Sequence, residues 1–193
     1  MAPERLSQDA RPLRLFVAFE VPDDVQDAID EAVAPLRDRF SDARWVPREN
    51  RHVTLRFLGA TPPRLGGWIG RRITAVTRGV APFETRTTSI GAFPGGRRGR
   101  VLWVGLDDAD GRQAALAEAL GRALAREFPP EPRAFTPHCT VARSDPPLRL
   151  AAGDLDVALR PVAFTIERVV LFRSHLRRPA PRYEPIASFP LTG

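Results

Sequence analysis

Apolar positions along this chain run through the same series twice. Arg14-Leu15-Phe16-Val17-Ala18-Phe19 is a short apolar run rich in strand formers, which predicts a β-strand. Pro22-Asp23-Asp24 supplies a turn and a helix start, and Val25, Ile29, Val33 and Leu36 follow at helical spacing. Pro35 weakens the last turn of that helix, because it brings no backbone donor. Trp45-Val46-Pro47 comes next, then a strand from His52 to Leu58 closed by Gly59. The second half repeats the order. Arg100 to Leu106 reads as a strand, Asp107-Asp108-Ala109-Asp110 as a turn, and Gln113 to Phe128 as a helix with Leu116, Leu120 and Leu124 on one stripe. Pro129 and Pro130 end that helix, and a strand from His138 to Ala142 follows. Leu15 and Leu102 stand 87 residues apart, and His52 and His138 stand 86 apart. An offset held across strand, helix and motif predicts an internal duplication.

The linking segments are similar as well. Residues 64–80 predict a helix, residues 148–159 a weaker one interrupted by Gly153, and strands are predicted from Phe83 to Phe93 and from Val162 to Arg173. Gly95-Gly96-Arg97-Arg98-Gly99-Arg100 reads as a hairpin tip or mobile loop, because no helix start and no Lys-Ser/Thr follows its glycines. Mixed strands and helices with short connections predict an α+β fold. The expected form is a bilobal pseudo-twofold duplication, with two mainly antiparallel sheets lining a central cleft and helices outside. The expected organisation is one domain over residues 1–193, made of two interleaved lobes with the site between them.

The predicted strands carry a repeated phrase, His52-Val53-Thr54-Leu55 and His138-Cys139-Thr140-Val141. Eleven threonines in 193 residues make this placement at two of three histidines roughly a one-in-a-hundred accident. Residues i and i+2 of a strand share a face, so each phrase presents an imidazole beside a hydroxyl. Two histidines facing one cleft can serve as general base and general acid in one turnover. Threonine hydroxyls are neutral donors that suit the non-bridging oxygens of a phosphate. Cys139 alternates to the opposite face from His138 and reads as a buried structural thiol. His175 has no such context and reads as a surface or loop residue. No two histidines are close in sequence and no cysteine pair exists, which argues against a metal site.

Composition adds two points. The net charge is +6, which points to polyanionic partners. All 29 basic residues are Arg, a pattern of compositional bias that weakens the case for any single arginine. No apolar run approaches the roughly 20 residues of a membrane span. Met1 to Arg14 has no apolar stretch of a secretory signal, and a lone cysteine fits a reducing cytosol, so a cytoplasmic location is expected.

At this point the residues resemble a known family. Trp45-Val46-Pro47-Arg48-Glu49-Asn50-Arg51-His52-Val53-Thr54-Leu55-Arg56-Phe57-Leu58-Gly59 is similar to the first signature of the RNA 2′,3′-cyclic phosphodiesterases, also called 2′-5′ RNA ligases, of the two-histidine phosphoesterase superfamily. Phe135-Thr136-Pro137-His138-Cys139-Thr140-Val141-Ala142-Arg143 resembles the second signature, and Arg14–Phe19, Leu171–Ser174 and Tyr183–Ile186 also match. The resemblance implies the two-histidine phosphoesterase fold, with no cofactor and no metal. It implies hydrolysis of RNA 2′,3′-cyclic phosphate ends to 2′-phosphomonoesters, with 2′-5′ ligation that needs no ATP. By the same resemblance His52 is the general acid and His138 the general base. Thr54, Thr140 and Arg143 then bind the phosphate, and Phe57 stacks on the terminal base. Strict alternation turns Phe57 and Arg143 away from the quartet, so the match there requires the strand to end or bulge first. Arg56, by the same alternation, shares the face of His52 and reads as surface charge. The expected partner is an RNA or oligonucleotide with a 2′,3′-cyclic phosphate end, bound by a monomer with no membrane association. Two other readings stand beside this one. The same quartet could act on another cyclic or 2′-5′ phosphodiester, or the chain could be a non-catalytic RNA-binding module.

Overall fold

The computed structural model describes residues 11–178 and 180–193. Most of the stretch read as lacking a signal, Met1 to Arg14, therefore lies outside the described residues. The elements run β1 (Leu13–Glu20), α1 (Asp23–Arg39), β2 (Arg44–Trp45), β3 (His52–Thr61), α2 (Gly66–Thr77), β4 (Phe83–Phe93), β5 (Arg98–Leu106), α3 (Arg112–Leu124), β6 (His138–Arg149), β7 (Ala163–Ile166), β8 (Arg168–His175) and β9 (Arg182–Pro190). The strands lie in the order β7-β4-β5-β6-β3-β1-β8-β9, with β2 paired to β6. Every pairing is antiparallel.

The duplication is visible in this order. One lobe is β3-β1-β8-β9 and the other is β6-β5-β4-β7. The C-terminal hairpin β8–β9 completes the lobe founded on β1 and β3, so the chain interleaves the two halves. The two sheets expected from the sequence are joined into one, because β3 and β6 meet at the residue pair Val53 and Cys139.

The helices cover one face. α1 buries Val25, Ala28, Ile29, Ala32, Val33 and Leu36. It opens on Asp23 and Asp24 and closes on Arg37 and Arg39, charges that complement the helix dipole. α2 buries Ile69 and Ile73, and α3 buries Leu116, Leu120 and Leu124. The predicted turn residue Asp108 caps α3, accepting from the Gln113 N–H at 2.7 Å and the Ala114 N–H at 2.9 Å. Leu15, Val17 and Phe19 of β1 and Leu102 and Val104 of β5 point into the same core.

Three sequence expectations need correction. Residues 148–159 form no helix; β6 continues to Arg149, and a turn with Gly153 at φ +82° follows. Arg149 and Leu148 pair with Arg98 and Gly99, so Leu148 and Leu150 are buried by alternation rather than by a helical stripe. The helix predicted to Phe128 ends at Leu124. The strand predicted from 162 to 173 is two strands, β7 pairing with β4 and β8 with β1. A single extended run thus crosses from one lobe to the other. Among the described residues, no helix is long and apolar enough to cross a membrane.

Gly91 of β4 lets the indole of its ladder partner Trp103 lie flat on the sheet. A Cβ at Gly91 would stand 2.2 Å from Cζ2 of Trp103. Gly91→Ala is therefore expected to destabilise the chain by about 1–3 kcal/mol, the usual cost of overpacking. Urea denaturation checks this, and a loss under about 0.5 kcal/mol would show that the ring relaxes freely.

Candidate active site

The pair Val53 and Cys139 sets the site. In an antiparallel pair this register puts His52 across from Thr140 and Thr54 across from His138. The two histidines become diagonal neighbours on one face, with backbone positions about 7–8 Å apart. Val53 and Cys139 themselves point into the core and are 0% and 1% exposed. All four quartet residues are half-buried.

Both strands then bulge at the same place. Val17 pairs with Arg56 and Ala18 with Thr54, which leaves Leu55 without a partner on β1. Leu102 pairs with Ala142 and Trp103 with Thr140, which leaves Val141 without one on β5. Leu55 and Val141 are duplicates, 86 residues apart. Each bulge inserts one residue and shifts the alternation by one. Two consecutive buried residues follow in each strand, then an exposed one: Phe57 in β3 and Arg143 in β6. The bulge thus returns Phe57 and Arg143 to the side of the quartet, where strict alternation had excluded them. The charge of Arg143 is felt by both His52 and His138. Phe57 lies 56% exposed, its ring 6.2 Å from that of Phe16.

The same bulge overturns the reading of Arg56 as a neighbour of His52 or a surface charge. Arg56 is 3% exposed. Its Nη2 donates to the Phe128 carbonyl at 3.1 Å and to the Pro129 carbonyl, and its Nη1 lies 3.7 Å from Glu131. It ties the segment after α3 to β3. His175 is also misplaced by the sequence reading, since it ends β8 half-buried with Nε2 2.7 Å from Glu184 Oε2.

Each site histidine is held in the same way. Nδ1 of His52 lies 2.8 Å from the Asn50 carbonyl, and Nδ1 of His138 lies 2.7 Å from the Thr136 carbonyl. A carbonyl only accepts, so Nδ1 carries the proton and Nε2 keeps its lone pair. Burial pushes the His52 imidazole down to about 4, against the Asn50 carbonyl, and the charges of Arg143 and His138 add to the fall. Burial also lowers His138, opposed by the Thr136 carbonyl and aided by Arg143. Burial pushes the Cys139 thiol up to about 12, which makes it inert as a nucleophile.

Sequence reasoning missed the aromatic walls. Phe16 lies 4.8 Å and Tyr183 5.1 Å from the His52 ring, centroid to centroid. Phe93 lies 5.1 Å and Trp103 6.3 Å from the His138 ring. Tyr183 and Phe93 both stand edge-on to their histidine at 87°. Alternation within the β1 run could have flagged Phe16, whereas Tyr183 and Phe93 reach the site only through strand pairing. Buried Arg51 was missed too. Its guanidinium meets Asp30 at 2.6 Å, Gln26 Oε1 at 3.1 Å and the Val46 carbonyl at 3.4 Å, ordering the turn that ends in Asn50. Beside His52 a cavity of about 360 Å³ opens, lined by Glu20, Arg48, Phe172 and Tyr183 among others.

Comparison with known proteins gives one consistent result. The family model of the 2′-5′ RNA ligase superfamily matches residues 21–178. The RNA 2′,3′-cyclic phosphodiesterase of Thermus thermophilus is 31% identical over 190 residues, covering 94% of this chain and 91% of that protein. The protein of the same name from Aquifex aeolicus is 26% identical over 186 residues, 94% of this chain and 98% of its own. A third, from Geobacillus stearothermophilus, is 28% identical over 181 residues, and there the chain spans only 57% of the relative's length. Among solved structures, TT0787 of Thermus thermophilus superposes with a TM-score of 0.80 at 29% identity, covering 94% of this chain and 99% of that one. Escherichia coli LigT in its apo form shares the fold, with a TM-score of 0.66 at 21% identity over 95% of this chain and 100% of its own. With the family model matched from residue 21 to 178 and the register of both His-Thr strands in view, this chain belongs to the 2′-5′ RNA ligase superfamily.

Proposed function

We propose that this chain hydrolyses RNA 2′,3′-cyclic phosphate ends to 2′-phosphomonoesters without a metal, with His138 as general base and His52 as general acid. The observation that carries the reading is the placement of two carbonyl-anchored imidazoles across one ladder bridge, each with its Nε2 uncommitted among the described residues. Nε2 of His138 takes a proton from water as the water oxygen bonds to phosphorus. The P–O3′ bond breaks, its electron pair goes to O3′, and protonated His52 delivers a proton there. The phosphate remains on O2′. Thr54 and Thr140 donate to the non-bridging oxygens, and Arg143 offsets their charge. Phe57 offers its exposed ring to the terminal base. A 5′-hydroxyl in place of water gives a 2′-5′ linkage by the same proton movements, driven by the strained ring. The whole chain, 1–193, acts as one domain of two interleaved lobes, as a monomer in the cytoplasm.

The depressed histidines shape the pH behaviour. In the free protein both imidazoles are neutral at pH 7, so the acid must gain its proton with the substrate. A phosphodiester bound against the site brings the negative charge that raises an imidazole pKa. The His52 signal is therefore expected to titrate at higher pH with a 2′-nucleotide bound than without, by NMR. An unmoved or lower value would remove His52 as the acid.

His52→Ala and His138→Ala are each expected to lower kcat/KM on a 2′,3′-cyclic phosphate by at least about a hundredfold, the scale of an acid–base group. Wild-type hydrolysis is expected to continue in excess chelator. Activity that survives both substitutions, or that requires added divalent metal, overturns the proposal.

Burial of His52 also has a stability consequence. The unfolded chain protonates this group near pH 6.5, whereas the folded chain resists until about 4. Stability is thus fully present above 6.5 and falls as pH drops to 4, by at most about 3 kcal/mol from this group. Chemical denaturation at both pH values should show a smaller fall in His52→Asn than in the wild type. An equal fall in the two proteins would place the cause elsewhere.

A further inference from the structure

Two arginine-bearing hairpin tips lie at equivalent places on the two lobes. Phe16, the β1 partner of Phe57, pairs with Phe172 of β8, and Val101, the β5 partner of Arg143, pairs with Phe93 of β4. Arg177 and Arg178 lie five and six residues beyond Phe172, and Arg97 and Arg98 lie four and five beyond Phe93. β8 and β4 run in the same sense relative to the strand each flanks, so both leave the sheet at equivalent ends of the site. The β4 strand passes His138 through Phe93 just before its tip. The β8 and β9 strands pass His52 through Phe172 and Tyr183 on either side of theirs.

Arg97, Arg98, Arg177 and Arg178 are all exposed. None has a carboxylate within ion-pair distance among the described residues. Many other arginines are neutralised locally, as in Arg37–Asp30, Arg39–Asp154, Arg48–Asp27, Arg122–Glu118 and Arg168–Glu20. Both tips are pinned where they meet the sheet. Asn50 Nδ2 donates to the Pro181 carbonyl at 2.7 Å, and the Leu150 N–H donates to the Arg97 carbonyl at 3.0 Å. Leu176, 71% exposed, adds an apolar surface beside Arg177. Uncompensated cations following the strands that pass each of the two histidines match the repeating charge of a nucleic-acid backbone.

We propose that the two tips form a two-sided clamp for single-stranded RNA, holding phosphates of the nucleotides that precede the cyclic end. This rests on the reading of the cleft given under Proposed function. The clamp acts through backbone charge, so it favours a polymer over a mononucleotide in KM rather than kcat, and it weakens with salt. It carries no base preference of its own.

The test compares a 2′,3′-cyclic mononucleotide with an RNA of roughly twelve nucleotides ending in the same cyclic nucleotide. The wild type is expected to show a KM for the RNA at least about tenfold lower at low salt, its logarithm rising with log salt by about 0.7 per phosphate held. Arg97→Gln with Arg98→Gln, and Arg177→Gln with Arg178→Gln, are each expected to raise the RNA KM at least about threefold and flatten that slope. Mononucleotide kcat/KM stays within about twofold in both variants, which also reports that they fold. A wild type that hydrolyses neither substrate removes the underlying reading. Equal KM for both substrates, or a loss from one tip only, overturns the clamp.

Discussion

One ladder bridge, between Val53 and Cys139, makes a site out of two half-sites. Each lobe alone presents one imidazole and one hydroxyl. The bridge sets them side by side in a register that a shift of a single residue would destroy, because every side chain would change face. That register is guarded by what lies beneath it. Val53 and Cys139 are sealed in the core with Leu55 and Val141, and turning them outward would expose apolar surface worth about 1.5–3 kcal/mol for each large side chain. The apolar core thereby specifies the polar face. Cys139 contributes by packing, since burial holds its thiol far from the thiolate.

The bulges at Leu55 and Val141 extend that control along the strands. An unbroken strand would send Phe57 and Arg143 into the core, where the guanidinium would be costly without partners. The inserted residue exchanges the faces, bringing Phe57 and Arg143 to the cleft and sending Arg56 and Ala142 inward. Arg56 is tolerated there because the Phe128 and Pro129 carbonyls accept from it. Its Nε has no hydrogen-bond partner among the described residues, a cost the carbonyl contacts of its Nη atoms offset.

Much of this was legible in the sequence, and the remainder was hidden for identifiable reasons. The duplicated order of strand, helix and His-Thr strand follows from periodicity, and so does the shared face of each His and Thr. The bulges do not, because a bulge is a property of two strands paired and the period of one strand carries no trace of it. The carbonyls of Asn50 and Thr136 are backbone groups that no side-chain pattern reports. The segment around Leu148 and Leu150 misled because apolar residues two apart satisfy a ragged helix as well as a strand, and the partner residues at Arg98 and Gly99 decide between them. Tyr183 and Phe93 reach their histidines through strand pairing across long stretches of chain.

The near-twofold symmetry is broken at the bulge exits and in the walls around the two histidines. The residues at the two bulge exits are duplicates in position and opposites in kind, an exposed aromatic at 57 and a cation at 143. On the proposed reading, a symmetric pair of arginines would hold a phosphate but leave no flat surface for a base, and a symmetric pair of aromatics would leave the phosphate uncompensated. The walls differ in the same spirit. His52 is enclosed by Phe16, Phe172 and Tyr183, and burial depresses it to about 4 in the free protein. His138 has Phe93 and Trp103 beside it. A duplicated fold offers two equivalent imidazoles, whereas a hydrolysis needs one to give a proton while the other takes one. On the function proposed above, unequal enclosure of two identically anchored rings divides those roles without changing either residue.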